Sequence, residues 1–103
     1  MEESHTITVA FHGPMTLRGI DSARSRMFAA VALNDRVEID CSKVEEADVG
    51  FVQMLLAARL GASQLGKTVR LTGPATGALR ATLERAGFIS PDVGKLDPFW
   101  AGE

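Results

Sequence analysis

The central third of the chain has the most regular pattern of hydrophobic and polar positions. VEIDC at 37–41 groups β-favouring apolar residues and predicts a strand, and the polar stretch SKVEEA at 42–47 predicts a loop. Asp48 stands where a helix N-cap is expected, and the following pattern predicts a helix over 49–65 that ends at Gly66. The apolar face of this helix consists of Phe51, Leu55, Ala58, Ala62 and Leu65.

Other apolar residues extend around the same helix, so it is hydrophobic on most of its circumference. They are Met54, Leu56, Ala57 and Leu60. We expect such a helix to bury one part of its surface in its own domain and to leave the remainder for a partner.

The rest of the chain alternates between strand and helix patterns. HTITVAF alternates with period two and is followed by a turn signal at 12–14, while Pro74 suits the first turn of a helix because its missing N–H is not needed there. The patterns predict strands at 6–11, 15–17, 37–41 and 68–71, and helices at 21–32, 49–65 and 75–86.

This order of elements predicts an α/β fold. Strand–helix–strand units favour parallel neighbours joined by right-handed crossovers. We therefore expect a mixed β-sheet covered mainly on one face by helices. The length of 103 residues predicts one domain over 1–103, with a core at about 6–88 and a C-terminal tail at 89–103. Phe99 and Trp100 in that tail fold onto the domain, are disordered or anchor a partner.

Composition narrows the class of protein. The net charge of −2 and the absence of a basic run argue against nucleic acid as a partner. The single cysteine, Cys41, rules out an internal disulfide, and we interpret it as a small buried hydrophobe. The opening MEESHT is polar, and the longest apolar run near the centre, 54–58, is too short to span a membrane. These features predict a cytoplasmic protein without an integral membrane segment.

Four motifs in a fixed order carry a family resemblance. DCSKV at 40–44 is followed by DVGF at 48–51, and GKTVRL at 66–71 and LERAGF at 83–88 come later. This order resembles the STAS domain family, the fold of bacterial anti-sigma factor antagonists, over residues 6–88. Its pattern is Asp-Leu-Ser-x-Val, then Asp-Ser-Ser-Gly or Asp-Thr-x-Gly opening a long helix.

The resemblance implies a non-enzymatic protein–protein interaction module that needs no cofactor. Its partner would be a serine kinase of the anti-sigma type or a larger regulatory complex. Alternatively, the resemblance implies a cytosolic subunit bound to the ATPase of a lipid-transport ABC system. The implied partner-binding residues are Glu46, Asp48, Val49, Gly50, Phe51, Gln53 and Met54.

One departure from the family pattern affects regulation. Regulated members carry a phosphorylatable Ser or Thr just after the motif Asp, whereas Val49 and Gly50 follow Asp48 here. We therefore predict partner binding without phosphorylation of this turn. Glu45, Glu46 and Asp48 supply fixed negative charge, although acids in such a place can equally serve only to solvate a loop and cap a helix.

A formal Walker A match, GASQLGKT at 61–68, suggests a third class, a nucleotide-binding protein. A phosphate-binding loop needs a strand before it and a helix after it, but the predicted order here is the reverse. We therefore predict no ATP binding that depends on Lys67. His5 and His12 have no Cys or carboxylate partner at a metal-ligand spacing, so we predict no metal site.

Overall fold

A computed structural model describes residues 5–17, 19–89 and 97–102. Of the predicted tail at 89–103, residues 90–96 and 103 lie outside these ranges. The α/β class is confirmed. The elements are β1 (Thr6–Met15), α1 (Ile20–Leu33), β2 (Arg36–Ala47), α2 (Val49–Gln64), β3 (Thr68–Leu71) and α3 (Gly77–Arg85).

The sheet has the strand order β1-β2-β3, and both pairings are parallel. Thr6 lies opposite Arg36, and Val37 lies opposite Val69. The sequence led us to expect a mixed sheet, but the described ranges contain no antiparallel pair. The reason is that α1 and α2 each return the chain to the same end of the sheet before the next strand begins.

The first strand is longer than predicted. β1 continues through 12–14, where a turn was expected, so 15–17 does not form a separate strand. Gly13 takes a φ of +74°, a conformation that glycine adopts readily. Pro14 is tolerated because β1 is an edge strand, in which some N–H groups have no neighbouring strand to donate to.

The second strand is also longer than predicted. β2 includes 42–47, which was expected to be a loop. Its register against β1 shifts between Ala10 and His12 and again between Gly13 and Pro14, and β2 supplies the extra residue each time. Such bulges break the two-residue alternation of side chains, so the local pattern no longer resembles a strand.

The core lies between the sheet and the helices. The inner face of α1 consists of the buried residues Ala23, Met27, Ala30 and Val31, which recur at helical spacing. On α2, the predicted face is buried from Phe51 to Ala62, but Leu65 is 67% exposed because the helix ends there. Gly66 has a φ of +73°, which confirms it as the residue that terminates this helix.

The C-terminal tail contacts the segment that leads into α3. The helix begins at Gly77, later than the predicted 75, and Pro74 is outside it. The N–H of Ala75 instead donates to the carbonyl of Trp100 at 2.7 Å. Thr76 is extended, with a φ of −137° and a ψ of 172°, so the helix begins at the residue after it.

The described part of the tail folds onto the domain. Phe99 and Trp100 are each 3% exposed, with ring centroids 4.8 Å apart. Arg59 of α2 lies over the Phe99 ring at 5.0 Å and pairs with Asp97 at 3.5 Å. Of the three interpretations of these aromatic residues, the structure shows the one in which they fold onto the domain.

Candidate functional site

The turn from β2 into α2 is organised by Asp48. Its Oδ1 accepts a hydrogen bond from the Phe51 N–H at 3.0 Å while its backbone is extended, which confirms the predicted N-cap. The other N–H groups of the first turn point out of the helix end, where the helix dipole is positive. The turn therefore presents a defined polar surface at the start of a 16-residue helix.

The next two residues form the exposed tip of this turn. Val49 is 42% exposed, and Gly50 is exposed as well. A Cβ atom added to Gly50 would lie 3.2 Å from Asp48 Oδ1, so a side chain there would emerge beside the capping carboxylate. Gln53 is exposed one turn further along α2.

Burial divides the predicted partner-binding residues into two sets. Phe51 is 0% exposed and meets Phe11 edge-on at 5.6 Å, and Met54 is 4% exposed. These two side chains belong to the core. The residues that the structure leaves at the surface of the turn are Glu46, Asp48, Val49, Gly50 and Gln53.

A groove on one side of the turn separates it from α3. Its lining includes Asp48, Val49 and Arg85. The buried Thr82 hydroxyl donates to the carbonyl of Ala47 at 2.9 Å and accepts from Arg85 Nη2 at 3.3 Å. Thr82 thereby fixes α3 against the end of β2. No motif in the sequence indicated Thr82, and the LERAGF motif includes Arg85 without indicating this role.

A second groove separates the turn from α1. It is lined by Leu17, Ile20, Arg24, Phe28, Gly50, Gln53, Met54 and Ala57. Leu17 is 85% exposed and Phe28 is 44% exposed, so its walls are largely apolar and open. The exposed tip therefore lies between two grooves, and each groove has one arginine, Arg85 or Arg24, in its lining.

The chain is similar to known proteins over most of its length. A family model described as "Mlab, STAS domain" matches residues 2–90. The chain belongs to the STAS domain family. The solved structure of the anti-sigma factor antagonist SpoIIAA in its unphosphorylated form is similar at a TM-score of 0.65 and 12% identity, covering 84% of this chain and 76% of that one. That similarity shows the fold, and no curated protein matches the chain.

The DCSKV motif of this STAS domain has a structural role at Asp40. Its Oδ1 accepts from the Ser42 N–H at 2.9 Å and from the Ser42 hydroxyl at 2.7 Å, and these bonds lower the pKa of the carboxyl. Burial raises the pKa of the neighbouring Cys41 thiol to about 12, so it stays protonated near neutral pH and packs against the core. Within the described ranges, no group of three or more metal-ligating side chains forms a candidate metal site.

The Walker-like run of the STAS domain is also structural. Residues 61–64 are the last turn of α2, and Thr68 begins β3, so the helix precedes the run and the strand follows it. Lys67 Nζ donates to the carbonyls of Val31 at 2.7 Å and Ala32 at 3.1 Å. The lysine therefore binds the C-terminal end of α1, which carries partial negative charge.

Lys67→Ala should destabilise the domain and leave nucleotide binding unchanged. Removing hydrogen bonds from a charged donor costs about 1.5–3 kcal/mol, reduced here by partial solvent access. The measurements are thermal unfolding and calorimetric titration with ATP, with the exposed Lys43→Ala as control. Tight ATP binding by the wild type that disappears in Lys67→Ala would contradict this interpretation.

Among the described residues, no helix has the length and hydrophobicity that crossing a membrane requires.

Proposed function

We propose that this STAS domain is a non-enzymatic regulatory module of the cytoplasm that binds another protein through the start of α2. The observation that carries the proposal is the exposed Val49–Gly50 tip, capped by Asp48 and placed between two open grooves. The name of SpoIIAA, an anti-sigma factor antagonist, supports a regulatory role for a domain of this fold. The partner class that follows is a serine kinase of the anti-sigma type or a larger regulatory complex.

The proposed surface is complete without phosphorylation. Neither Val49 nor Gly50 has a hydroxyl, so a kinase cannot add charge at the first two residues of α2. The carboxylates of Glu45 and Glu46 are exposed beside them, and the Asp48 carboxylate is held in place by the Phe51 N–H. We infer that these fixed charges and the apolar groove walls give the surface one permanent binding state.

The burial pattern supports a protein partner over a small ligand. The grooves are open, and their linings include apolar side chains that solvent reaches, such as Val49, Leu17 and Phe28. Apolar groups at the centre of a surface with charged residues around them are typical of protein–protein interfaces. Arg24 and Arg85 then provide positive charge on either side of the tip for acidic groups of the partner.

Gly50→Asp should weaken partner binding while the domain stays folded. An acid in the first turn gains about 0.3–1 kcal/mol from the helix dipole, and repulsion from Asp48 offsets part of that gain. At the interface, an unmatched buried charge costs about 2–5 kcal/mol. The measurement pairs thermal unfolding with affinity for the partner captured by the wild-type domain from its native lysate.

Gly61→Asp is the matched control, since it adds the same charge to the same helix at a position where a Cβ meets no atom within 4 Å. It should bind like the wild type. If Gly50→Asp folds and binds like the wild type, the tip lies outside the interface. The identity of the captured protein separates the two proposed roles. An ABC ATPase would assign the domain to lipid transport, and a serine kinase would assign it to anti-sigma signalling.

A further inference from the structure

Strand β1 has one free edge among the described residues, because it pairs there with β2 alone. The Arg36 N–H donates to the His5 carbonyl at 3.0 Å, with Thr6 opposite Arg36. In a parallel pair the direction of the backbone groups alternates, so those of Thr6, Thr8 and Ala10 point away from β2. The carbonyl of Ala10 does accept from Arg26 Nη2 at 3.0 Å on that side.

The first half of this edge lacks the usual protection against strand pairing. Natural edge strands carry charges, prolines or short lengths that prevent another strand from docking. β1 is 10 residues long, holds no Asp, Glu, Lys or Arg, and has its proline only at Pro14. By contrast, β3 at the other edge of the described sheet is 4 residues long and includes Arg70.

An apolar groove follows the free edge. It lies between β1 and α1 and is lined in part by Ile7, Val9, Ala29 and Leu33. Ile7 is 39% exposed and Leu33 is 77% exposed. A strand added at this edge would need apolar side chains at alternate positions to fill the groove.

We propose that β1 of a second copy of this chain occupies the edge, antiparallel and with the two-fold axis at Thr8. The segment Thr6–Ala10 reads TITVA, which is nearly symmetric about its centre. Thr8 then faces Thr8 of the second copy, and Ile7 faces Val9, so the apolar side chains of both strands fall on the groove side. The ladder uses the outward backbone groups of Thr6, Thr8 and Ala10, and the Ala10 carbonyl, which already accepts from Arg26, takes a second hydrogen bond in it.

Charge also suits a second copy. No like charges meet along the paired strands, because the segment is uncharged. Arg26, which binds the Ala10 carbonyl, is directed toward the first residues of the opposite strand.

Sedimentation velocity over a concentration series tests the proposal. The wild type should move reversibly from a species of 11.0 kDa toward twice that mass as concentration rises. Thr8→Asp places two carboxylates opposite each other at the axis and should weaken the dimer at least tenfold. Thr68→Asp, an exposed threonine at the start of β3, should dimerise like the wild type.

Cross-linking gives a second readout that does not depend on the stability of the Asp variant. In a Cys41→Ala background, Thr8→Cys should form a disulfide-linked dimer under mild oxidation, since paired Cα atoms lie about 5.5 Å apart in a hydrogen-bonded antiparallel pair. Thr68→Cys should stay monomeric under the same conditions. A wild type that remains at 11.0 kDa up to millimolar concentration, or equal cross-linking of the two cysteine variants, would overturn the proposal.

Discussion

Trp100→Ala should lower the free energy of unfolding by about 3–5 kcal/mol, as truncation of a buried large aromatic residue does. Trp100 is 3% exposed and packs against Phe99, whose ring Arg59 also contacts. Its carbonyl accepts from Ala75 before the start of α3. The substitution removes the side chain that holds this backbone contact in place, so both the core and the α3 entry should lose stability.

Chemical denaturation followed by far-UV circular dichroism measures the effect. Phe88→Ala is the control, because Phe88 is an aromatic residue near the end of α3 with 36% of its surface exposed. It should cost clearly less than Trp100→Ala. Equal losses for both variants would show that Trp100 contributes no more than a partly exposed aromatic residue, contrary to its contacts.

Phe51→Ala should lower the free energy of unfolding by a similar amount, about 3–5 kcal/mol. The side chain is 0% exposed, and its edge contact with Phe11 joins α2 to β1. Aromatic pairs of this geometry contribute about 0.5–1.5 kcal/mol beyond the buried area. Partner binding should fall only as far as the folded fraction does.

Val49→Ala provides the comparison on the exposed side of the same turn. Val49 is 42% exposed, so its truncation should change the free energy of unfolding by about 0.5 kcal/mol or less. Its effect should instead appear in partner affinity. A Phe51→Ala variant that melts like the wild type and still loses the partner would place Phe51 in the interface and contradict its assignment to the core.

The elements that the sequence predicted well are those with local signals. Asp48 and Gly66 mark the two ends of α2 by side-chain capping and by positive φ, and both signals are contained within one turn. The inner face of α1 follows from spacing alone. The absence of a hydroxyl at the Val49–Gly50 tip could also be predicted, because it depends only on which residues follow Asp48.

The elements that the sequence did not predict depend on distant partners. β2 extends to Ala47 through bulges against β1, and α3 starts at Gly77 because the backbone of Thr76 is extended. The sequence could not show whether Phe51 and Met54 lie in the core or in a partner interface, since an apolar residue suits both; the structure places them in the core. The grooves beside the tip combine side chains from three helices, and no linear pattern brings Arg24 and Arg85 to one site.

The position of the aromatic tail has a spectroscopic consequence. Trp100 is the single tryptophan of a chain without tyrosine, so near-ultraviolet fluorescence reports the surroundings of one side chain. Circular dichroism reports the helices and the sheet, which lie elsewhere. When the tail detaches in a local opening, emission shifts while ellipticity is unchanged, and the fluorescence transition then gives the free energy of that opening.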